Sequence, residues 1–119
     1  MIRVKRAYDK AAQADGTRVL VDRLWPRGLR RQELRIDVWA KEAAPSAELR
    51  EWYQHDPSKW QEFERRYFEE LDSHQDVWEP LLRLAREGTL TLVFASKETE
   101  YNNAVALKDY LDGKLVSGL

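Results

Sequence analysis

Apolar and polar positions along the chain follow two periods. Ile2 to Tyr8 alternates, with Ile2 and Val4 on one side and Arg3 and Lys5 on the other, which predicts a strand. Asp9 to Gly16 is a polar loop that closes on the turn pair Asp15-Gly16. Thr17 to Leu24 has a continuous apolar middle, Val19-Leu20-Val21, as expected of a strand buried on both faces of a parallel sheet. Arg30 to Glu33 is a solvated run or a single helical turn. Leu34 to Ala40 alternates again, Leu34, Ile36 and Val38 against Arg35, Asp37 and Trp39, and predicts a third strand at a sheet edge.

The period then lengthens. Pro45-Ser46 starts a short helix, with Ser46 able to cap and Glu48 in the first turn, ending near His55. Asp56-Pro57 opens the next, with Trp60, Phe63, Tyr67 and Leu71 on one face and acids and arginines over the rest. A break at Asp72-Ser73-His74 precedes a helix over Asp76–Glu87. Pro80 lies in its first turn or marks its start, and Gly88 ends it. Thr89 to Ala95 is the second clear buried strand. After the polar loop Ser96–Glu100, Tyr101–Leu111 forms the last helix, stopped by Asp112-Gly113, with a frayed tail over 113–119. The expected architecture is a single α/β domain over 1–119. It has a small, mostly parallel sheet of about four strands packed by helices in layers.

Composition narrows the function classes. A chain of 119 residues with 43% hydrophobic and 34% charged residues can bury a core without staples, and does not read as disordered. A formal net charge of −1 gives no global attraction to nucleic acid or an anionic membrane. With no cysteine, thiolate catalysis and Cys-ligated metal are excluded. No apolar stretch approaches the ~18 residues of a membrane helix. No apolar leader follows Met1–Arg6, so a cytoplasmic protein is expected. No spacing matches a zinc site, a P-loop, a dinucleotide-binding turn or a nucleophile elbow, and no metal or cofactor is expected.

Candidate chemistry concentrates where strands end. In open α/β sheets ligands sit beyond the carboxyl ends of the strands. One strand delivers Asp22, Arg23, Trp25 and Arg27; another delivers Ser96 and Lys97. If the two are parallel neighbours they face one crevice, and the last helix, with Asn102 and Asn103 in its first turn, points its anion-favouring N-terminus there. Arg23 and Arg27 suit a carboxylate or phosphate, Lys97 adds a point charge, and Asp22 orients an arginine or acts as a base. Plainer readings compete: an Asp22–Arg23 ion pair tethering the Pro26–Gly28 turn, a core wall for Trp25, a solvated Lys97. His55 and His74 sit at helix ends and read as stabilising cations. Arg23, Arg27, Arg30, Arg31 and Arg35 around Trp25 make a locally basic, aromatic segment, the recipe for single-stranded nucleic acid. A solvated charged face explains that segment better.

The stretches VDRLWPRG (Val21–Gly28), WAKEAAPSAELREWYQHDPSKWQEFERRY (Trp39–Tyr67) and LTLVFASKETEYNNAVALKDYL (Leu90–Leu111) resemble the YeaO-like branch of domain-of-unknown-function family 488, over nearly the whole chain. The resemblance implies a single α/β domain and no particular activity. Some members are called transcriptional regulators, but this sequence shows no winged-helix pattern. The resemblance also implies that Asp22, Arg23, Trp25, Pro26, Arg27, Gly28, Lys41, Lys97 and Asn103 belong to one site.

Three functional readings follow. The first is a small anionic ligand, a nucleotide or phosphorylated metabolite, held by Arg23, Arg27 and Lys97 with Trp25 or Trp39 as a wall. The second is a hydrolase or transferase with Asp22 as base and Lys97 as electrostatic stabiliser. The third is a nucleic-acid or protein partner using Arg23–Arg35. Oligomeric state is not legible.

Overall fold

The computed structural model of the protein describes residues 1–117. Four strands, β1 (Ile2–Arg6), β2 (Thr17–Leu20), β3 (Val38–Trp39) and β4 (Leu90–Phe94), form one all-parallel sheet in the order β1-β4-β2-β3. Five helices complete the domain: α1 (Arg31–Leu34), α2 (Ala47–Tyr53), α3 (Trp60–Asp72), α4 (Gln75–Glu87) and α5 (Asn103–Ser117).

Strand alternation divides the core. Val19, Val21, Leu90, Leu92 and Phe94 face the larger cluster, built with α2 to α5. Leu20 and Val93 face the other way, onto Ala7, Leu34, Trp25, Leu29, Ile36 and Trp39. One face is therefore roofed by helices and the other by the loop after β2 and the single turn α1. All five residues of β4 are buried, as its central place requires.

Polar anchors set the start of β2. Gly16 sits at φ +63°, and a Cβ there would lie 2.3 Å from the Thr89 carbonyl oxygen. Only glycine lets the chain pass so close. Beside it the buried Asp15 carboxylate takes Lys5 Nζ at 3.1 Å and Arg18 Nη1 at 2.7 Å, and the Thr91 hydroxyl donates to the Asp15 carbonyl at 2.6 Å. Burial pushes the Asp15 carboxyl up, but the Ala12 N–H, Lys5 and Arg18 outweigh it and hold the group below the ordinary range.

Four element boundaries differ from the sequence pattern. The second strand stops at Leu20 and the Asp22 side chain takes over the ladder, as described below. The third strand is only Val38–Trp39: Leu34 closes α1, Arg35 turns left-handed at φ 52°, and the Arg18 guanidinium holds the carbonyls of both. Helix α4 starts at Gln75, so Pro80 is internal, on an exposed face. The last helix runs through Gly113 to Ser117, past the stop expected at Asp112-Gly113; residues 118–119 lie outside the described residues. Glycine in a helix costs about 1 kcal/mol. Here Leu115 packs on the core, and the Lys114 ammonium lies 5.2 Å from the Trp78 ring and 5.1 Å from that of Tyr110.

The other helix signals act as the sequence suggests. The Ser46 hydroxyl accepts from the Leu49 N–H at 3.1 Å, and Glu70 of α3 grips both the Ser46 N–H and hydroxyl. The Asp56 carboxylate caps the turn Pro57–Lys59 that feeds α3. Tyr53, Trp60, Phe63 and Tyr67 form an aromatic stack, with Tyr53 and Phe63 centroids 4.2 Å apart.

Candidate functional site

Because β2 and β4 are parallel neighbours, their carboxyl ends open at one mouth. A cleft of about 420 Å³ lies there. From the loop after β2 come Asp22, Arg23, Leu24, Trp25, Pro26 and Arg27; Ala95 and Ser96 come from the end of β4, and Asn103 from the start of α5. The opposite wall is Pro45, Arg50, Tyr53, His55 and Phe63, with Tyr8 at the rim. The volume falls within the ~300–1,000 Å³ range of small-molecule sites.

Asp22 is the hinge of the arrangement. The next donor of the sheet ladder, the Ala95 N–H, goes at 2.8 Å to Asp22 Oδ2. Asn103 Nδ2 donates at 3.1 Å both to Asp22 Oδ1 and to the Val21 carbonyl. The acid thus splices β2, β4 and α5. Burial pushes its carboxyl above the ordinary aspartate range, against the pull of the Ala95 N–H, the Asn103 amide and the charges of Arg50 and His55. The expected Asp22–Arg23 tether is not formed among the described residues.

The arginines around it are open. Arg23 Nε and Arg50 Nε are both shielded from solvent, and neither has a hydrogen-bond partner among the described residues. An unsatisfied buried donor costs about 1–3 kcal/mol, and more on a charged group. Both residues line the same cleft, and Arg23 also borders a neighbouring hollow with Glu42, Glu70 and Asp76. Elsewhere a buried arginine is matched, as Arg18 is.

The remaining candidates divide. Arg27 lines the mouth, exposed, and its carbonyl accepts from the Tyr8 hydroxyl at 2.8 Å. Ser96 also lines it, with its hydroxyl accepting from the Glu98 N–H and its carbonyl from Arg6 Nε. Trp25 contributes a wall but spends its indole N–H on the Leu29 carbonyl. Trp39 stands behind it, ring centroids 5.3 Å apart, and donates to the Asp22 carbonyl at 2.8 Å. Lys41 lies over the Trp39 ring at 4.1 Å. Gly28, at φ 84°, shapes the turn. Asn102 is fully buried as a cap, accepting from the Val105 N–H and donating to the Glu98 carbonyl. Lys97 is exposed. Trp39, Lys41, Gly28, Asn102 and Lys97 do not line the cleft.

Arg50, Tyr53, His55 and Tyr8 were missed from the sequence. Arg50 reads as a surface position of a short helix, and nothing local reveals that its face closes on Asp22. His55 lies two residues past the last helical position, and only the structure marks it. There the chain makes two successive left-handed turns, Gln54 at φ 47° and His55 at φ 56°, which non-glycine residues seldom adopt. The Tyr53 hydroxyl, pushed up to about 12 by burial and the nearby Glu98 and Asp56 charges, donates to the Tyr101 carbonyl at 2.8 Å. It is a structural tie.

A parallel α/β sheet with a basic, aromatic-walled cleft at its carboxyl edge is the class that fold and site define. The chain belongs to the DUF488-N3i family, described as "Inactive DUF488-N3 subclade", whose model matches residues 1–117. It is 42% identical over 110 residues to the uncharacterized protein YeaO of Escherichia coli (strain K12), covering 92% of this chain and 96% of that protein. It is likewise 42% identical over 113 residues to the uncharacterized protein Rv3073c of Mycobacterium tuberculosis (strain ATCC 25618 / H37Rv), covering 95% of each. No solved structure matches the chain. Among the described residues no helix is long and apolar enough to cross a membrane.

Proposed function

We propose that the cleft binds a small anionic ligand, such as a nucleotide or a phosphorylated metabolite, and performs no chemistry on it. The observation that carries this reading is that Arg23 and Arg50, both lining one cleft, each keep an enclosed Nε without a partner and form no ion pair among the described residues. An anion in the cleft would supply the counter-charge that neither arginine finds in an ion pair among the described residues. Asn103 and the Ala95 N–H fix Asp22 so that the loop carrying Arg23 stays registered to the sheet.

The hydrolase or transferase reading has less support. It needs Asp22 and Lys97 within reach of one reacting group. Asp22 is already engaged by two donors, and Lys97 does not line the cleft. The family's description as inactive points the same way. The nucleic-acid reading loses its groove, since Arg30 pairs with Glu33 and neither Arg30 nor Arg35 lines the cleft.

The test is a thermal-shift screen of nucleotides and sugar phosphates against the wild type and Arg23→Ala. A ligand at ten times its Kd adds about 1.4 kcal/mol, which raises Tm by about 4 °C or more. Shifts absent from the wild type, or surviving the substitution unchanged, refute the assignment of Arg23.

A further inference from the structure

We propose that the group recognised in the cleft is a phosphate monoester, a dianion held between Arg23 and Arg50, rather than a carboxylate or a phosphodiester. The proposal rests on the anion-binding reading above and narrows it. A guanidinium presents its bidentate edge through Nε and one Nη. In both arginines the Nε end of that edge is enclosed and unused. Neither arginine takes part in any ion pair among the described residues.

Counting charges and acceptors selects among anions. Two such edges offer four N–H donors and two positive charges. A carboxylate brings two oxygens and one charge, so it satisfies one edge and leaves the other guanidinium without a counter-ion. A phosphodiester has the same shortage, with two free oxygens and one charge. A phosphate monoester brings three acceptor oxygens and close to two charges, and so answers both arginines. Asp22 feels the Arg50 charge, but burial disfavours its ionised form, its oxygens are taken by the Ala95 N–H and Asn103, and it forms no direct ion pair with either arginine among the described residues. The rest of the cleft suits a substituent carried on such a phosphate: Tyr8, Leu24, Tyr53 and Phe63 give it an apolar and aromatic lining.

The experiment is a calorimetric titration of the full chain with methyl phosphate, dimethyl phosphate and acetate. It is run at fixed ionic strength and about pH 8, where a phosphate monoester carries nearly its full second charge. Methyl phosphate should bind about tenfold or more tightly than either rival. Arg50→Lys keeps the charge but loses the fork, and should weaken methyl phosphate about tenfold while moving dimethyl phosphate less than about threefold. Arg23→Lys gives the same comparison from the other wall should Arg50→Lys melt early. Methyl and dimethyl phosphate binding within threefold of each other would overturn the monoester assignment and leave an unselective anion cleft. Binding of none of the probes would overturn the anion site itself.

Discussion

At the start of β2, Asp15 and Arg18 lie 2.7 Å apart, with Lys5 on the same carboxylate and the Leu34 and Arg35 carbonyls on the same guanidinium. At its end, Asp22 and Arg23 are consecutive residues of similar chemistry and do not pair. Only six residues, one strand and its flanks, separate Asp15 from Asp22. At one end each charge is answered from within the chain, and the cluster has nothing left to offer a ligand. At the other, the acid is used up by backbone and amide donors while the base is left over. A buried ion pair that closes on itself is weak testimony for function. A buried arginine edge without an acceptor is a standing deficit that something outside the chain can fill.

Breaking the closed end should produce the largest effect. Asp15→Ala strands Lys5 and Arg18 and should cost about 3–5 kcal/mol by chemical denaturation. A loss under 1 kcal/mol would mean the pair is not structural. The open end should behave in reverse: Arg23→Ala should leave stability unchanged or raise it by up to about 1 kcal/mol, since it deletes an unsatisfied donor. A loss above 2 kcal/mol would show that Arg23 has a structural partner after all.

Acid and base titrations sharpen the contrast. The Asp15 carboxyl is held below its ordinary value, so its stabilisation is present above that value and lost as pH falls through the folded one. Asp22 is pushed above its ordinary value, so its contribution is present at low pH and lost as pH rises through the folded value. Stability-against-pH curves for Asp15→Asn and Asp22→Asn should therefore depart from wild type with opposite slopes. Glu64, which faces Asp109 of α5, adds an intermediate case. Burial and the neighbouring carboxyl raise it from 4.5 to about 7, and its Oε2 has no donor among the described residues. A proton held on Glu64 resolves that. The α3–α5 contact should weaken as pH rises through about 7, and Glu64→Gln should flatten the curve there. The smallest effect belongs to Lys41→Ala, which removes an exposed cation–π contact of about 0.5–1 kcal/mol and should leave ligand shifts unchanged.

The sheet was legible because Val19-Leu20-Val21 and Leu92-Val93-Phe94 are continuous apolar runs, and that continuity reports burial on both faces. The mouth of the cleft was legible for the same reason: the polar residues following such strands must surface at the sheet's edge. What sequence could not show was pairing. Asp22–Arg23 and Asp15–Arg18 look alike in one dimension, and only the arrival of Ala95 and Asn103 from far along the chain decides which acid is left for its arginine. Trp39 and Lys41 fall in the stretches that carry the family resemblance, yet neither lines the cleft: Trp39 holds the Asp22 carbonyl and Lys41 lies over its ring. The third strand is shorter than its alternation suggests because Leu34 and Ile36 bury themselves from a turn as well as they would from a strand.

The strand order β1-β4-β2-β3 has a kinetic consequence. The outer pairings of β1 and β2 both wait for β4, which is not synthesised until residues 90–94. Until then only β2 and β3 have a partner, and Asp22 has no Ala95 N–H to accept. Closing such distant contacts is slow. Folding on the ribosome should therefore run as one late, concerted event, in which the central strand slots between its neighbours and the ligand mouth is born in the same step.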